Sequence, residues 1–141
     1  MKSENRLREE HVVKIAIGTK KFATIAGHAG RTRDWLMFDT ISDKVIFPPR
    51  AISLRKAELI HHFGKTGKGP HPLDGAEVIV TGSAGEGFVR HMAKRGARVV
   101  MTGEDDPQEA VRKLLAGEPL AATRFDITTM LCKVHDLFST H

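Results

Sequence analysis

Residues 77–103, with the sequence EVIVTGSAGEGFVRHMAKRGARVVMTG, constrain the fold more than any other stretch of the chain. The β-branched run at residues 78–80 predicts a buried strand, and the glycine-rich stretch after it predicts a tight turn. Apolar residues then recur at helical spacing, with Gly96 as the C′ residue, and residues 98–101 predict a second strand. A helix between two parallel strands implies a right-handed crossover with the glycine turn at the carboxyl edge of the sheet.

The composition limits the class of protein. The chain has 141 residues, of which 40% are hydrophobic and 28% charged, as in one globular domain. We expect no membrane segment, and the charged start MKSENRLREEH lacks the apolar core of a signal peptide. A single cysteine excludes an intramolecular disulfide framework and suits a reducing cytoplasm. The net charge of +5 favours anionic partners, but one Trp and no Tyr give little stacking surface for nucleic acid.

The first half of the chain predicts three strands, at residues 12–17, 35–38 and 44–47, the last two paired as a hairpin. Pro48 and Pro49 are expected to end the third strand. Residues 18–33 form a long, basic, glycine-bearing connection, and connections of this length are often functional. Residues 50–63 are ambiguous, and a helix capped by Ser53 is one interpretation.

The second half of the chain predicts two further helices. Asp106 is a good N-cap, Pro107 a good N1 residue and Gly117 a stop signal for the first of them. The second, at residues 126–138, has a clean apolar stripe and either packs on the domain or joins a partner.

The implied order is an antiparallel meander of three strands, then a parallel βαβ unit and another helix. We therefore predict an α/β domain with a mixed sheet of about five strands and flanking helices, of the ribonuclease-H-like kind. We expect a flexible arm at residues 1–10, the domain at residues 11–117 and a C-terminal amphipathic helix within residues 118–141.

The glycine turn is the first candidate site, with Gly82, Ser83, Ala84, Gly85 and Gly87 as its binding residues. Its N–H groups and the helix N-terminus behind it can cradle an anion, although a plain strand-to-helix turn has the same sequence features. It lacks the Lys-Ser/Thr pair of a P-loop and the spacing of the dinucleotide fingerprint. Glu104 nevertheless lies about where a ribose-binding acid is expected in a dinucleotide fold.

Histidines define the second candidate site. In residues 27–33, GHAGRTR, the small neighbours leave His28 open to a ligand or metal, and Arg31 and Arg33 can neutralise negative charge. A basic surface loop is the alternative. His71 is a weaker candidate, because its loop could fold toward the ligand edge. Without an H-x-x-x-H pattern or a cysteine pair we expect no closed zinc site, and Cys132 is best interpreted as an incidental thiol.

Four segments resemble the dinitrogenase iron–molybdenum cofactor biosynthesis family, which includes NifX-like proteins and the cofactor-binding domains of NafY and NifB. They are VKIAIGT, GHAGRTRDWLMFD, HPLDGAEVIVTGSAGEGFVRHMAKRGARVV and EDDPQEAV. The resemblance covers residues 11–117. GHAGRT is similar to the family's His-Phe-Gly-Arg motif, with Ala29 where Phe is usual.

The resemblance implies a ribonuclease-H-like fold without catalysis. It also implies that the iron–molybdenum cofactor, or its iron–sulfur precursor cluster, is bound as cargo. His28 would be the first candidate ligand and His71 the second, with Arg31, Arg33 and the glycine turn holding the anion. Other nitrogenase assembly proteins would be its partners, and the protein itself would be a monomer or a homodimer.

Two other classes compete with this interpretation. A ribonuclease-H-like nuclease needs carboxylates that begin on its first strand, and residues 12–17 carry none, which argues against an enzyme. A nucleotide- or anion-binding regulatory module that uses the turn at residues 82–87 stays open.

Overall fold

The computed structural model describes residues 12–60 and 69–123. These residues form one mixed sheet with an α-helix on each face. The strands are β1 (Val12–Lys20), β2 (Thr24–Ile25), β3 (Asp34–Ile41), β4 (Lys44–Ser53), β5 (Val78–Thr81) and β6 (Arg98–Met101). The α-helices are α1 (Glu86–Lys94) and α2 (Pro107–Ala116), and short 3-10 turns lie at Ala29–Arg31 and Lys56–Glu58.

Strand β1 lies at the centre of the sheet, whose order is β4-β3-β1-β5-β6, with β2 paired to the end of β1. On one side, β1 pairs antiparallel with β3, and β3 pairs antiparallel with β4. On the other side β1, β5 and β6 run parallel, with Ala16 opposite Ile79 and Ile79 opposite Val99. The predicted meander and βαβ unit are therefore confirmed, and with them the α/β fold class. We call the edge where these three parallel strands end the carboxyl edge.

Two apolar clusters hold the layers together, one on each face of the sheet. Ile15, Ile17 and Val80 face the α2 side, where they pack with Val111 and Leu114. The alternate positions face the α1 side, and their cluster includes Ala16, Met37, Ile79, Trp35, Phe88 and Met92. Successive residues of β1 and β5 point to opposite faces of the sheet, and both faces are covered by an apolar cluster. The central strands can therefore be apolar at every position.

Strand β1 extends to Lys20, beyond the predicted boundary at residue 17, because it gains partners in both β2 and β3. A tight turn with Lys21 and Phe22 at positive φ angles of 52° and 62° joins β1 to β2. The first part of the connection predicted at residues 18–33 thus belongs to β1, the tight turn and β2, and the rest forms the loop between β2 and β3.

Strand β4 does not end at Pro48 and Pro49, so that prediction is wrong. It continues to Ser53, with a register shift opposite it between Met37 and Asp39. Among the described residues β4 is an edge strand, and an edge position tolerates proline because the missing N–H can face away from the sheet. Ser53 caps no helix, since its hydroxyl donates to the carboxylate of Asp34 at 2.8 Å.

The two α-helices begin and end near the predicted residues. Helix α2 has Asp106 as its N-cap, whose carboxylate accepts a 2.9 Å hydrogen bond from the N–H of Gln108, and Pro107 as its first residue. It ends at Gly117, in the left-handed conformation with φ 72°. Helix α1 is followed by Gly96 at φ 85°, as its position as the C′ residue predicts.

Residues 118–123 return along the domain to the end of β6, and we call them the C-terminal strap. Leu120 is buried in the cluster on the α2 side. The carbonyl oxygen of Ala121 accepts hydrogen bonds from the N–H of Gly103 at 2.8 Å and from the hydroxyl of Thr102 at 2.9 Å. The predicted arm at residues 1–10 and the predicted helix at residues 126–138, with Cys132, lie outside the described residues.

Candidate functional site

Two loops meet at the carboxyl edge, one after β2 and the other after β5. The N–H of Gly82 donates a 2.8 Å hydrogen bond to the carbonyl oxygen of Ala26, and the N–H of Ala29 donates a 3.0 Å bond to that of Ser83. The Thr81 hydroxyl lies 3.2 Å from the same Ala26 oxygen. A Cβ atom at position 82 would lie 3.2 Å from the Ala26 oxygen, so glycine permits this close approach. The histidine segment and the glycine turn therefore form one surface.

An open pocket of about 480 Å³ lies where the loops meet. Its lining residues are His28, Ala29, Gly30, Arg31, Ser83, Ala84 and Gly85. The structure thus brings most of the predicted binding residues together. Gly82, Gly87 and Arg33 do not line the pocket, and Arg33 precedes β3, where its carbonyl oxygen accepts from the N–H of Leu54.

His28 occupies the left-handed region of backbone conformation, with φ 55° and ψ 62°, and it is exposed at the pocket wall. This region is uncommon for any residue with a Cβ atom, although histidine, asparagine and aspartate adopt it more often than the others. The N–H of His28 donates a 3.0 Å hydrogen bond to the hydroxyl of Ser83. On its other side, the Thr32 hydroxyl lies 3.2 Å from the His28 carbonyl oxygen. Thr32 lies within the segment GHAGRTR but is absent from the binding residues that the sequence predicts for the site.

The glycine turn leaves main-chain donors uncommitted. Within the part of the chain that the structure describes, the N–H groups of Ser83, Ala84 and Gly85 meet no hydrogen-bond acceptor. Helix α1 begins there, and its N-cap Gly85 supplies no side-chain hydrogen bond, whereas α2 is capped by the Asp106 carboxylate. An uncapped helix N-terminus carries partial positive charge and favours a negative group in front of it.

The pocket wall is positively charged. Arg31 is exposed there and takes part in none of the ion pairs among the described residues. None of the described residues that line the pocket has a carboxylate, and Glu86 in the first turn of α1 lies 3.7 Å from the guanidinium of Arg90. The arrangement favours an anion over a cation.

His71 lies elsewhere, in the loop before the amino end of β5. Its side chain is buried, Nε2 lies 2.6 Å from the carbonyl oxygen of Glu58, and Nδ1 accepts a 3.1 Å bond from the N–H of Leu73. The N–H of His71 donates to Asp74, whose carboxylate is also paired with Arg95. Both ring nitrogens are therefore engaged, one with the 3-10 turn that contains Glu58 and the other within the loop of His71, and the structure does not bring His71 to the pocket. The prediction that His71 is a metal ligand gains no support from this position.

Glu104 is also committed to other groups. Its carboxylate accepts hydrogen bonds from Nζ of Lys113 at 2.6 Å and from the N–H of Ala121 at 2.8 Å. The hydrogen bond from Lys113 holds the pKa of Glu104 below its ordinary value, against the opposing effect of partial burial. A ribose hydroxyl would have to displace these partners, which argues against a dinucleotide site of the usual kind.

Two further observations concern metals and membranes. Over residues 12–60 and 69–123, no group of three or more His, Cys, Asp and Glu side chains is arranged to hold a metal ion. None of the helices in these ranges has the length and apolar character needed to cross a membrane.

Comparison with known proteins connects this pocket to a family. The family model described as dinitrogenase iron-molybdenum cofactor matches residues 11–117, which include both loops of the pocket. The chain belongs to this family. The predicted relationship is therefore confirmed over the predicted range. Among curated protein sequences, none matches the chain.

Solved structures similar to this member of the family share its fold. PH0822 superposes with a TM-score of 0.62 at 16% identity, over 80% of this chain and 98% of that one. A candidate dinitrogenase from Methanocaldococcus jannaschii gives 0.57 at 13% identity, over 77% and 92%. The apo form of the orange protein from Desulfovibrio gigas gives 0.54 at 19% identity, over 80% and 96%. At these identities the similarity establishes the fold alone.

Proposed function

We propose that this protein binds an anionic metal–sulfur cluster, either the iron–molybdenum cofactor or an iron–sulfur precursor, as cargo in the pocket at the carboxyl edge. The observation that carries the proposal is the set of uncommitted N–H groups at Ser83, Ala84 and Gly85 opposite the exposed imidazole of His28. Membership of a family described by this cofactor supports this chemical class for the anion.

The residues of the pocket would make different contributions to cluster binding. The imidazole of His28 is a suitable ligand for an iron or molybdenum atom, because it is exposed and its backbone is held in place. The N–H groups and the guanidinium of Arg31 compensate the negative charge of the cluster. Gly82 contributes by keeping the loops in contact, Gly87 by leaving the first turn of α1 uncovered, and Arg33 by longer-range charge.

A site of this kind suits a carrier that takes no part in catalysis. Among the described residues that line the pocket, His28 alone offers an imidazole, thiol or carboxylate to a metal, so the cluster could be transferred without breaking several coordination bonds to them. We therefore infer that other nitrogenase assembly proteins are donors and acceptors of the cargo, in a reducing cytoplasm where such clusters survive.

Anaerobic binding tests the proposal. Purified protein is mixed with the isolated iron–molybdenum cofactor, or with its iron–sulfur precursor, and co-elution on gel filtration is followed by metal analysis. His28→Asn removes the imidazole while keeping a residue that tolerates the left-handed backbone, so the fold should be retained. We expect its affinity to fall by about tenfold or more, which corresponds to roughly 1.4 kcal/mol.

A second pair of variants tests the contribution of positive charge to cluster binding. Arg31→Gln removes a cation from the pocket wall, whereas Arg98→Gln removes an exposed cation from the start of β6. We expect only the first to weaken binding. Unchanged binding in His28→Asn, or no co-elution of either cluster with the unmodified protein, would contradict the proposal. Thermal stabilisation by one nucleotide and by neither cluster would instead favour the nucleotide-binding module.

A further inference from the structure

Two hydroxyl groups hold the backbone of His28 from opposite sides. The N–H of His28 donates to the hydroxyl of Ser83 at 3.0 Å, across a sequence separation of 55 residues. The hydroxyl of Thr32 lies 3.2 Å from the carbonyl oxygens of both His28 and Gly27, so its single proton is shared between them. Both polar groups of the His28 backbone are thus engaged by side chains, and the carbonyl oxygen of His28 also accepts a 2.9 Å hydrogen bond from the N–H of Arg31.

Thr32 is itself fixed by the core. It is 6% exposed, and its carbonyl oxygen accepts a 2.9 Å hydrogen bond from the indole N–H of the fully buried Trp35. A Cβ atom at position 18 would lie 3.2 Å from the methyl group of Thr32, so Gly18 leaves just enough room for this side chain. The hydroxyl therefore has little freedom to move away from the His28 loop.

The two hydrogen bonds stabilise an uncommon backbone conformation at His28. A histidine with φ 55° lies in a region that a residue with a Cβ atom adopts only when its surroundings favour it. The direction of the Cα–Cβ bond, and with it the reach of the imidazole into the pocket, follows from these backbone angles. Without the two hydroxyl groups, only the bond from the N–H of Arg31 to its carbonyl oxygen would engage the backbone of residue 28, and the residue could relax to an ordinary conformation that turns the ring away.

We propose that Ser83 and Thr32 are positioning residues that act through His28, so that the imidazole is aimed into the pocket before any ligand arrives. This inference rests on the proposed function for its ligand. It deepens that function by assigning the preorganisation of the site to two side chains, one of which lies outside the pocket wall.

A double-mutant design tests the inference. Ser83→Ala and Thr32→Val each remove a hydroxyl at nearly constant shape, and each is made in the unmodified protein and in His28→Asn. We expect each to weaken cluster binding about fivefold in the unmodified protein and to have no further effect in His28→Asn. Ser83→Thr and Thr32→Ser keep the hydroxyl and should restore most of the affinity. Equal losses in both backgrounds would show direct contact or general destabilisation and would overturn the inference, as would no loss at all.

A second measurement needs no cluster. Amide hydrogen exchange at His28 should accelerate in Ser83→Ala, because the N–H loses its acceptor, whereas exchange in the core strands should stay unchanged. If the protein binds neither cluster, the proposed function fails, and this measurement still tests whether the Ser83 hydroxyl holds the backbone of His28. Unchanged exchange at His28 in Ser83→Ala would overturn that role.

Discussion

The main-chain N–H of Gly82 and the carbonyl oxygen of Ala26 form a 2.8 Å hydrogen bond that joins the glycine turn to the loop that carries His28. In Gly82→Ala, the new methyl group would lie 3.2 Å from both the Ala26 oxygen and the Gly27 Cα atom, which are backbone atoms that cannot rotate away. We expect a loss of about 1–2 kcal/mol in the free energy of unfolding, measured with urea, and weaker cluster binding.

Gly87→Ala is the matched control for the effect of that substitution on stability. A Cβ atom there meets nothing within 4 Å, and the residue lies in the first turn of α1. Because alanine is the better helix former, the variant should be as stable as the unmodified protein or more stable by up to about 1 kcal/mol. Similar losses in the free energy of unfolding of both variants would mean that the close approach at Gly82 does not cause the destabilisation.

The pair between Glu104 and Lys113 should make stability depend on pH. The hydrogen bond from Lys113 lowers the pKa of Glu104 below its ordinary value of 4.5. A carboxyl group with a depressed pKa in the folded state stabilises the fold above its unfolded pKa and loses that contribution as the pH falls through the folded pKa. We expect Glu104→Gln to cost about 1–2 kcal/mol at pH 7 and nearly nothing well below pH 4.

Urea unfolding of both proteins from pH 7 to pH 3 measures this difference. Glu77→Gln serves as the control, because Glu77 is exposed and makes none of the ion pairs found among the described residues. A Glu104→Gln deficit that persists unchanged in acid would show that the charge of Glu104 is not its source.

The C-terminal strap should contribute to the stability of the domain although it lies beyond the family match. Leu120 is 2% exposed within the cluster on the α2 side. We expect Leu120→Ala to lower the free energy of unfolding by about 2–4 kcal/mol, because it removes buried methyl groups and leaves a cavity. Pro119→Ala alters an exposed neighbour and should change stability by less than about 1 kcal/mol. Denaturant unfolding that finds the two variants equally stable would contradict the packing of the strap.

The ring of His71 should carry its proton on Nε2. Its Nδ1 accepts a hydrogen bond from the N–H of Leu73, so Nε2 must donate to the carbonyl oxygen of Glu58. Nitrogen-15 correlation spectra that couple ring nitrogens to ring protons identify the tautomer directly. His71→Ala should lower stability by about 1–3 kcal/mol and leave cluster binding unchanged, which separates His71 from His28. A proton on Nδ1, or lost cluster binding in His71→Ala, would contradict this role.

Local sequence patterns predict the βαβ unit and both α-helices because their determinants are local. Residues 78–80 are β-branched, Asp106 and Pro107 form an N-terminal signal, and Gly96 and Gly117 stop their helices within a residue or two of the predicted positions. Each signal acts within one or two turns of chain, so a single sequence contains it.

The errors concern interactions between distant parts of the chain. The extension of β4 through Pro48 depends on pairing with β3 and on the position of β4 at the sheet edge. The residues around the prolines do not reveal either of these. The two segments of the pocket could be predicted separately, but the hydrogen bond from His28 to Ser83 spans 55 of the chain's 141 residues. The place of His71 likewise follows from Glu58, in a segment whose local pattern is ambiguous.

The return of the C-terminal strap to Gly103 sets the route of the chain beyond the family match. Gly103 follows β6, and the N–H of Thr102 donates to the carbonyl oxygen of Thr81, the residue before the glycine turn. Ala121 therefore lies at the carboxyl edge, the edge at which the pocket opens. The strap thus links the apolar cluster on the α2 side, through Leu120, to the edge that carries the pocket.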